Sequence, residues 1–294
     1  MAATEKFVRW LIVGGNGQLG NAMKAELSAN DIDFVSLGHV ELDITKGNEI
    51  RRVLNDIRPN IILNAAAWTR VDDAERAEKE AWQVNARGAG LLAQTCSKSN
   101  SKLVHLSTDY VFSGVSNTPW SEGDHPNPTS AYGRTKAEGE MLVQESSQHN
   151  ALIVRTAWLY SPWGGNFAKT MVRLALHETR KVEVVNDQIG QPTSAIELAM
   201  QIRKMVAAEV PPGIYHGTNS GQTTWFDFAR EIFSLLGADP SRVVPKESSK
   251  NPDAAKRPSY SVMGHDKWLE IGILPMRDWH EALMHAIPSI VSSI

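Results

Sequence analysis

Cysteine is almost missing from this chain: Cys96 is the only one in 294 residues. A lone thiol cannot close an internal disulfide, which fits a reducing compartment. Its setting, Leu91-Leu92-Ala93-Gln94-Thr95-Cys96, reads as a buried helix face, so the thiol is expected to pack rather than to act as a nucleophile. Blocks of one charge are also missing. Lys and Arg number 30 against 33 Asp and Glu, for a formal net charge of -3. Such a balance argues against a general nucleic-acid binder or a membrane-surface protein. No apolar run is long enough to cross a bilayer, and the opening Met1 to Lys6 lacks the apolar core of a signal peptide. Neither a membrane nor a nucleic acid is therefore an expected partner, and the cytoplasm is the expected location.

Short apolar segments alternate with helical patterns over the first half of the chain. Phe7–Val13, Asp33–Leu37, Asn60–Asn64, Lys102–Ser107 and Leu152–Thr156 read as strands. Between them, helices are expected from about Gly20 to Ala29, Glu49 to Ile57, Asp73 to Ser97 and Ala131 to Gln148, with Arg58-Pro59 ending the second. This alternation predicts an α/β fold, a Rossmann-type doubly wound parallel sheet covered on both faces. From about residue 160 the alternation loosens at Gly164-Gly165, Gln191-Pro192 and Pro211-Pro212-Gly213. The expected division is a mainly dinucleotide-binding region over 1–160 and a smaller, mixed, mainly substrate-binding region over 161–294, interleaved with strands that return to the main sheet. Several of the nine tryptophans fall in loops, where they are candidates for lining a pocket.

Gly14-x-x-Gly17-x-x-Gly20 follows the first strand and opens the first helix. In a dinucleotide site the first glycine permits a tight turn, the second lets a pyrophosphate approach the backbone, and the third allows close helix–sheet packing. A purely structural turn is the alternative. NAD binders usually place a carboxylate about 20 residues further on, against the ribose 2′-hydroxyl. Here Leu37-Gly38-His39-Val40 offers no acid before Glu41, and no arginine either. A 2′-phosphate is thus expected to meet no fixed negative charge, with NADPH as cofactor and NADH tolerated.

Ser107-Thr108-Asp109-Tyr110-Val111-Phe112 ends a strand, and Tyr132-Gly133-Arg134-Thr135-Lys136 opens a helix. Lys136, four residues after Tyr132, falls on the same helix face. A free phenol titrates near ~10, too high for ready proton exchange at neutral pH. An ammonium at about 4 Å contributes on the order of 4 kcal/mol at an effective dielectric near 20, enough to acidify the phenol by about 3, partly opposed by burial. Thr108, at a strand end, can hydrogen-bond a carbonyl oxygen as charge grows on it. Thr108, Tyr132 and Lys136 are the candidate catalytic set of a nicotinamide-dependent carbonyl reductase.

Further segments carry a resemblance. They are Asn64-Ala65-Ala66-Ala67-Trp68-Thr69, Val71-Asp72-x-Ala74-Glu75, Arg155-Thr156-Ala157-Trp158-Leu159-Tyr160, Asn166-Phe167-Ala168-Lys169-Thr170-Met171, Gln191-Pro192-Thr193 and Arg257-Pro258. With the glycine turn and the Tyr132/Lys136 pair, they resemble the extended short-chain dehydrogenase/reductase superfamily and, within it, the dTDP-4-dehydrorhamnose reductase family, from about Arg9 to Leu283. The resemblance implies reduction of the C4 ketone of dTDP-6-deoxy-L-lyxo-4-hexulose to dTDP-L-rhamnose with NAD(P)H. It implies that Gly17, Gln18 and Leu19 touch the cofactor phosphates, that Asp43 and Ile44 lie by the adenine, and that Ala67, Trp68 and Thr69 line the cofactor channel. Tyr132 and Lys136 would also touch the cofactor. Thr108 and Asp109 would approach the sugar, and Trp158 would pack on it. A homodimer is implied by the same analogy.

An aromatic face suits the apolar side of a 6-deoxy sugar, which supports Trp158 against simple core packing; Trp225 fits either role. Asn166, Lys169 and Arg257 are candidates for the substrate diphosphate, Arg257 foremost because a guanidinium grips phosphate in a fork. His280 and His285 are five apart, not at helical metal-pair spacing, and no metal is assigned. Two other functions remain open: an epimerase or dehydratase acting on another nucleotide sugar, and a non-catalytic regulatory subunit of methionine adenosyltransferase. The complete Thr108, Tyr132 and Lys136 set favours an enzyme.

Overall fold

Strand β1 (Trp10–Val13) is buried at all of its positions, as a strand covered on both faces must be. The computed structural model describes residues 9–147, 150–248 and 254–294. Phe7 and Val8, expected in this strand, and Gln148, expected in a helix, lie outside the described residues. From β1 the chain continues through α1 (Gln18–Ala29), β2 (Phe34–Leu37), α2 (Gly47–Ile57), β3 (Ile61–Asn64), α3 (Val71–Arg76), α4 (Glu78–Trp82), a π-helical turn (Gln83–Gly88), α5 (Ala89–Ser99) and β4 (Lys102–Thr108). A long loop then leads to α6 (Ala131–Ser146) and β5 (Ala151–Thr156).

The single helix expected over 73–97 is thus three helices and a π-turn. Its continuity yields to tertiary contacts: Ala77 leaves helical geometry at φ -133, and the Asn85 side chain accepts from Trp68 N at 2.8 Å and donates to Trp68 O at 3.1 Å. Widened turns of this kind are frequent at functional sites.

The remaining elements are β6 (Leu159–Tyr160), α7 (Phe167–His177), β7 (Val182–Val185), β8 (Ile189–Gly190), β9 (Thr193–Ser194), α8 (Ala195–Ala207), β10 (Gly213–His216), β11 (Asn219–Ser220), β12 (Thr223–Thr224), α9 (Trp225–Leu235), β13 (Val243–Lys246), α10 (Asp266–Glu270), β14 (Met276–Asp278) and α11 (Trp279–Val291). The main sheet has the order β10-β5-β4-β3-β1-β2, and every pairing in it is parallel. Its alternating side chains feed two cores. Trp10, Ile12, Val104 and Val154 pack with Met23 and Leu27 of α1 and Leu198 and Ile202 of α8. Leu11, Val13, Ile62 and Ile153 pack with Leu54, Leu92 and Val143 of α2, α5 and α6. A third core joins Val172, Phe228, Phe233, Leu283 and Ile287 of α7, α9 and α11 to Val182 and Val243. Cys96 lies in the second core, where burial pushes its thiol up to about 12. Strand order reverses at β1, between β2 and β3, and ligands of open α/β sheets bind at the carboxyl ends of the strands at such a point.

Candidate active site

At the end of β1 the chain turns through Gly14, whose φ of +82 is open to glycine and strained for other residues. A Cβ there would stand 2.6 Å from Ala66 N, in the segment that follows β3. Gly17 caps α1 with no side-chain hydrogen bond to the first turn, so the helix's first N–H groups are left for a ligand. A Cβ on Gly17 would meet only Gly14 O, at 3.3 Å. This cradle fits a diphosphate. Leu19 and Gly20 are buried in the first turn. Gln18 turns toward the second half of the chain: its Nε2 donates to Leu159 O at 3.2 Å, and its Oε1 accepts from Ser161 Oγ at 2.9 Å and Asn166 Nδ2 at 3.0 Å.

Ala67, Trp68 and Thr69 follow β3, on the loop held by Asn85. Asn85 also donates to Thr135 Oγ1 at 3.1 Å, in α6. One amide therefore ties the expected cofactor channel to the helix bearing Tyr132 and Lys136. Asp43 and Ile44 lie between β2 and α2: Ile44 is buried, while Asp43 Oδ1 accepts from Thr45 N at 3.0 Å and Thr45 Oγ1 at 2.7 Å.

The two candidate catalytic segments meet because α6 starts hard against the residues after β4. Ser130 caps the helix, its Oγ accepting from Gly133 N at 3.1 Å. A Cβ on Gly133 would stand 2.2 Å from Tyr110 O, so only glycine admits this approach. The rings of Tyr110 and Tyr132 lie edge to face, with centroids 5.5 Å apart.

The acidified phenol expected from the Tyr132/Lys136 spacing is not found in the free chain. Burial, partly opposed by hydrogen bonding from Thr108, pushes Tyr132 up to about 12. Burial also brings Lys136 down to about 8, against the pull of Glu140. Lys136 Nζ donates to Leu106 O of β4 at 2.6 Å. Lys136 is not among the groups that lower the phenol, and the neighbouring Asp109 charge adds to the rise, so desolvation decides the direction.

Asp109 is 2% exposed. Its Oδ1 accepts from the Thr108 hydroxyl at 3.0 Å, and among the described residues its Oδ2 has no hydrogen bond of good geometry, Ser261 being its nearest hydroxyl donor. Burial raises its carboxyl to about 6, with hydrogen bonds from Ser261 and Thr108 opposing. The one Thr108 hydroxyl proton is thus engaged by Asp109 in the free chain. Because the folded pKa lies above the ordinary 3.8, stability linked to this group is complete below that value and is lost as pH rises through about 6. The difference amounts to about 3 kcal/mol at neutral pH. Asp109→Asn, which cannot ionise, should raise the unfolding free energy by about 1–3 kcal/mol at pH 7.5 and leave it nearly unchanged at pH 4, as read by urea denaturation.

Beside Tyr110 opens a groove of about 930 Å³, lined also by Phe167, Trp225, Lys246, Lys256 and Arg257. Trp158, in the left-handed region at φ 44, stacks on Trp225 with ring centroids 3.7 Å apart. One face of the Trp158 ring is thus already covered. Two diphosphate candidates already have protein partners. The Asn166 amide is consumed in capping α7, accepting from Lys169 N at 3.0 Å and donating to Gln18 and Ser161 O. Lys169 Nζ is spent on Pro162 O at 2.9 Å and Ser293 O at 3.3 Å. Arg257 lines the groove, but its Nη2 pairs with Asp72 at 2.8 Å, and that contact holds the Asp72 carboxyl below its usual range.

Behind Lys136, the Glu140 carboxylate accepts from Arg155 Nε at 2.9 Å and Nη2 at 2.7 Å, both side chains buried. Sequence reasoning missed this pair and Asn85. A charged residue inside an otherwise apolar strand, and an acid one turn past Lys136, were the available signals. The expectation of no fixed negative charge at the end of β2 also fails, because Glu41 folds back to accept from Gly38 N at 2.9 Å.

A glycine cradle at the sheet's switch point, with a threonine, a tyrosine and a lysine gathered where α6 meets the end of β4, is the arrangement of an oxidoreductase of the short-chain dehydrogenase/reductase type. Residues 8–291 match the family described as RmlD substrate binding domain. The chain belongs to this family, that of the dTDP-4-dehydrorhamnose reductases. It is 46% identical to a dTDP-4-keto-6-deoxy-D-glucose reductase of Streptomyces niveus, over 95% of this chain and 96% of that one. It is 43% identical to a dTDP-4-dehydrorhamnose reductase of Streptomyces griseus, over 96% and 94%. Among solved structures it resembles a dTDP-4-dehydrorhamnose reductase of Bacillus anthracis in complex with NADP, with a TM-score of 0.91 at 37% identity, covering 97% of this chain and 99% of that one.

Proposed function

We propose that this protein reduces the C4 ketone of a dTDP-linked 4-keto-6-deoxy sugar with NADPH, converting dTDP-6-deoxy-L-lyxo-4-hexulose to dTDP-L-rhamnose. The observation that carries this reading is the packing of α6 against the end of β4, which brings Tyr132 to Thr108 and sets its ring edge to face with Tyr110, a residue of the groove wall. When bound, NADPH supplies the hydride that C4 receives. Tyr132 gives its proton to the ketone oxygen, so the carbonyl becomes a secondary alcohol and no other atom is gained or lost. Thr108 donates a hydrogen bond to that oxygen as charge develops. Lys136, held on Leu106 O, would bind the nicotinamide ribose. The Gly14–Gly20 turn and the N-terminus of α1 hold the pyrophosphate. Lys246, Lys256 and Arg257 are the groove's cations and the candidates for the substrate diphosphate, set among Glu183 and Glu247.

The relative at 46% identity is named for a D-glucose-derived keto sugar, so the test spans both stereochemistries. NADPH oxidation is followed with 4-keto-6-deoxy sugars of L-lyxo and D-xylo configuration on dTDP, UDP and GDP, and the product is identified by mass and NMR. Turnover of the dTDP-L-lyxo compound to dTDP-L-rhamnose is the expected result. Oxidation only with the D-xylo compound would reassign the sugar, and no oxidation with any dTDP sugar would defeat the reading.

A further inference from the structure

The turn after β2 holds a carboxylate that chain order alone does not place there. Gly14 N and Gly15 N both donate to Leu37 O, at 3.0 and 2.9 Å, so the glycine turn and the end of β2 are in direct contact. The chain then reverses, Leu42 N donating to Gly38 O at 3.0 Å. This reversal lets Glu41 Oε2 accept from Gly38 N at 2.9 Å. A Cβ built on Gly38 would stand 2.3 Å from Asn16 Nδ2 and 3.0 Å from Glu41 Oε2. Asn16 and Glu41 therefore share the space that a side chain at position 38 would fill. In dinucleotide sites of this fold, an acid near the end of the second strand accepts from the adenosine ribose hydroxyls, and an arginine takes a 2′-phosphate. This chain has glycine at the strand end and brings its acid back from three residues further on.

We propose that Glu41 sets the preference between the two nicotinamide dinucleotides: its carboxylate, held on Gly38 N beside Asn16, accepts from the 2′-hydroxyl of NADH and must swing away for the 2′-phosphate of NADPH. The inference rests on the dinucleotide reading of the glycine turn. Glu41 is exposed and is anchored by one hydrogen bond to a backbone N–H. Its displacement needs only side-chain rotation and no change in the fold, so both dinucleotides are admitted and neither is strongly excluded. Asn16, with a donor and an acceptor on its amide, can serve either the hydroxyl or the phosphate.

The test is equilibrium binding, not turnover. Wild type, Glu41→Gln and Glu41→Lys are titrated by calorimetry with NADH and NADPH, and with the fragments AMP and 2′-phospho-AMP. Removing the like charge should tighten NADPH and weaken NADH, moving the ratio of their dissociation constants by about tenfold in Glu41→Gln and further in Glu41→Lys. The same displacement should appear between the two fragments, which lack the nicotinamide and so report on the adenosine end alone. A ratio within about twofold of wild type in both variants, with both dinucleotides bound, would overturn the role of Glu41. A wild-type chain that binds neither dinucleotide would overturn the cofactor reading itself, and this inference with it.

Discussion

Tyr132→Phe is expected to slow reduction of the keto sugar by on the order of 10³-fold, within the 10²–10⁴ range of general-acid catalysis. Phenylalanine keeps the ring and its edge-to-face contact with Tyr110, so the start of α6 should be undisturbed. The change removes one oxygen. In the free chain that oxygen holds its proton firmly, burial having pushed the phenol up to about 12. A donor of this kind gives up a proton readily only to a group more basic than itself, which a ketone oxygen becomes as it receives hydride. The effect should therefore fall on kcat, with calorimetric binding of NADPH close to wild type. A kcat within tenfold of wild type would remove Tyr132 from the reaction.

The largest stability effect is expected at Glu140. Its carboxylate holds two nitrogens of Arg155 in a site where the two side chains are 3% and 0% exposed. The third guanidinium nitrogen, Nη1, is buried without a hydrogen-bond partner among the described residues. Glu140→Ala leaves that cation uncompensated and should cost about 3–5 kcal/mol. The double variant Glu140→Leu/Arg155→Met removes both charges at similar volume and should recover most of the loss. Urea denaturation of the two variants at one pH decides the matter. Equal destabilisation in both would mean that packing volume, not the buried charge, sets the cost.

Much of the architecture was legible in the sequence because fully apolar segments such as Leu11-Ile12-Val13 and Ile61-Ile62-Leu63 are forced into a sheet covered on both faces. The glycine turn, Thr108 and the Tyr132/Lys136 pair were legible because each sits within a few residues of a recognisable element boundary. What was not legible depends on distant segments. Nothing near Asn85 announces that its amide binds Trp68 and splits a helix. Asn166 looked free to meet a phosphate because its partners, Gln18 and Ser161, are set by how two halves of the chain dock. The acid at the end of β2 was sought upstream of Glu41, and a four-residue reversal hid it. The phenol's expected acidity failed for a different reason. Spacing gives the attraction between two charges, but only the packed fold gives what it costs to strip them of water.

The place of β10 limits how this chain can be re-engineered. Residues 213–216 pair along β5 and cover its outer edge, although 56 positions separate the two strands' nearest ends. A chimaera that kept the first 160 residues and replaced the rest would strip β5 of its neighbour and bare a row of unsatisfied amides and carbonyls along a largely apolar ribbon, an invitation to self-association. New sugar specificities are better sought by exchanging loops around the groove than by swapping halves.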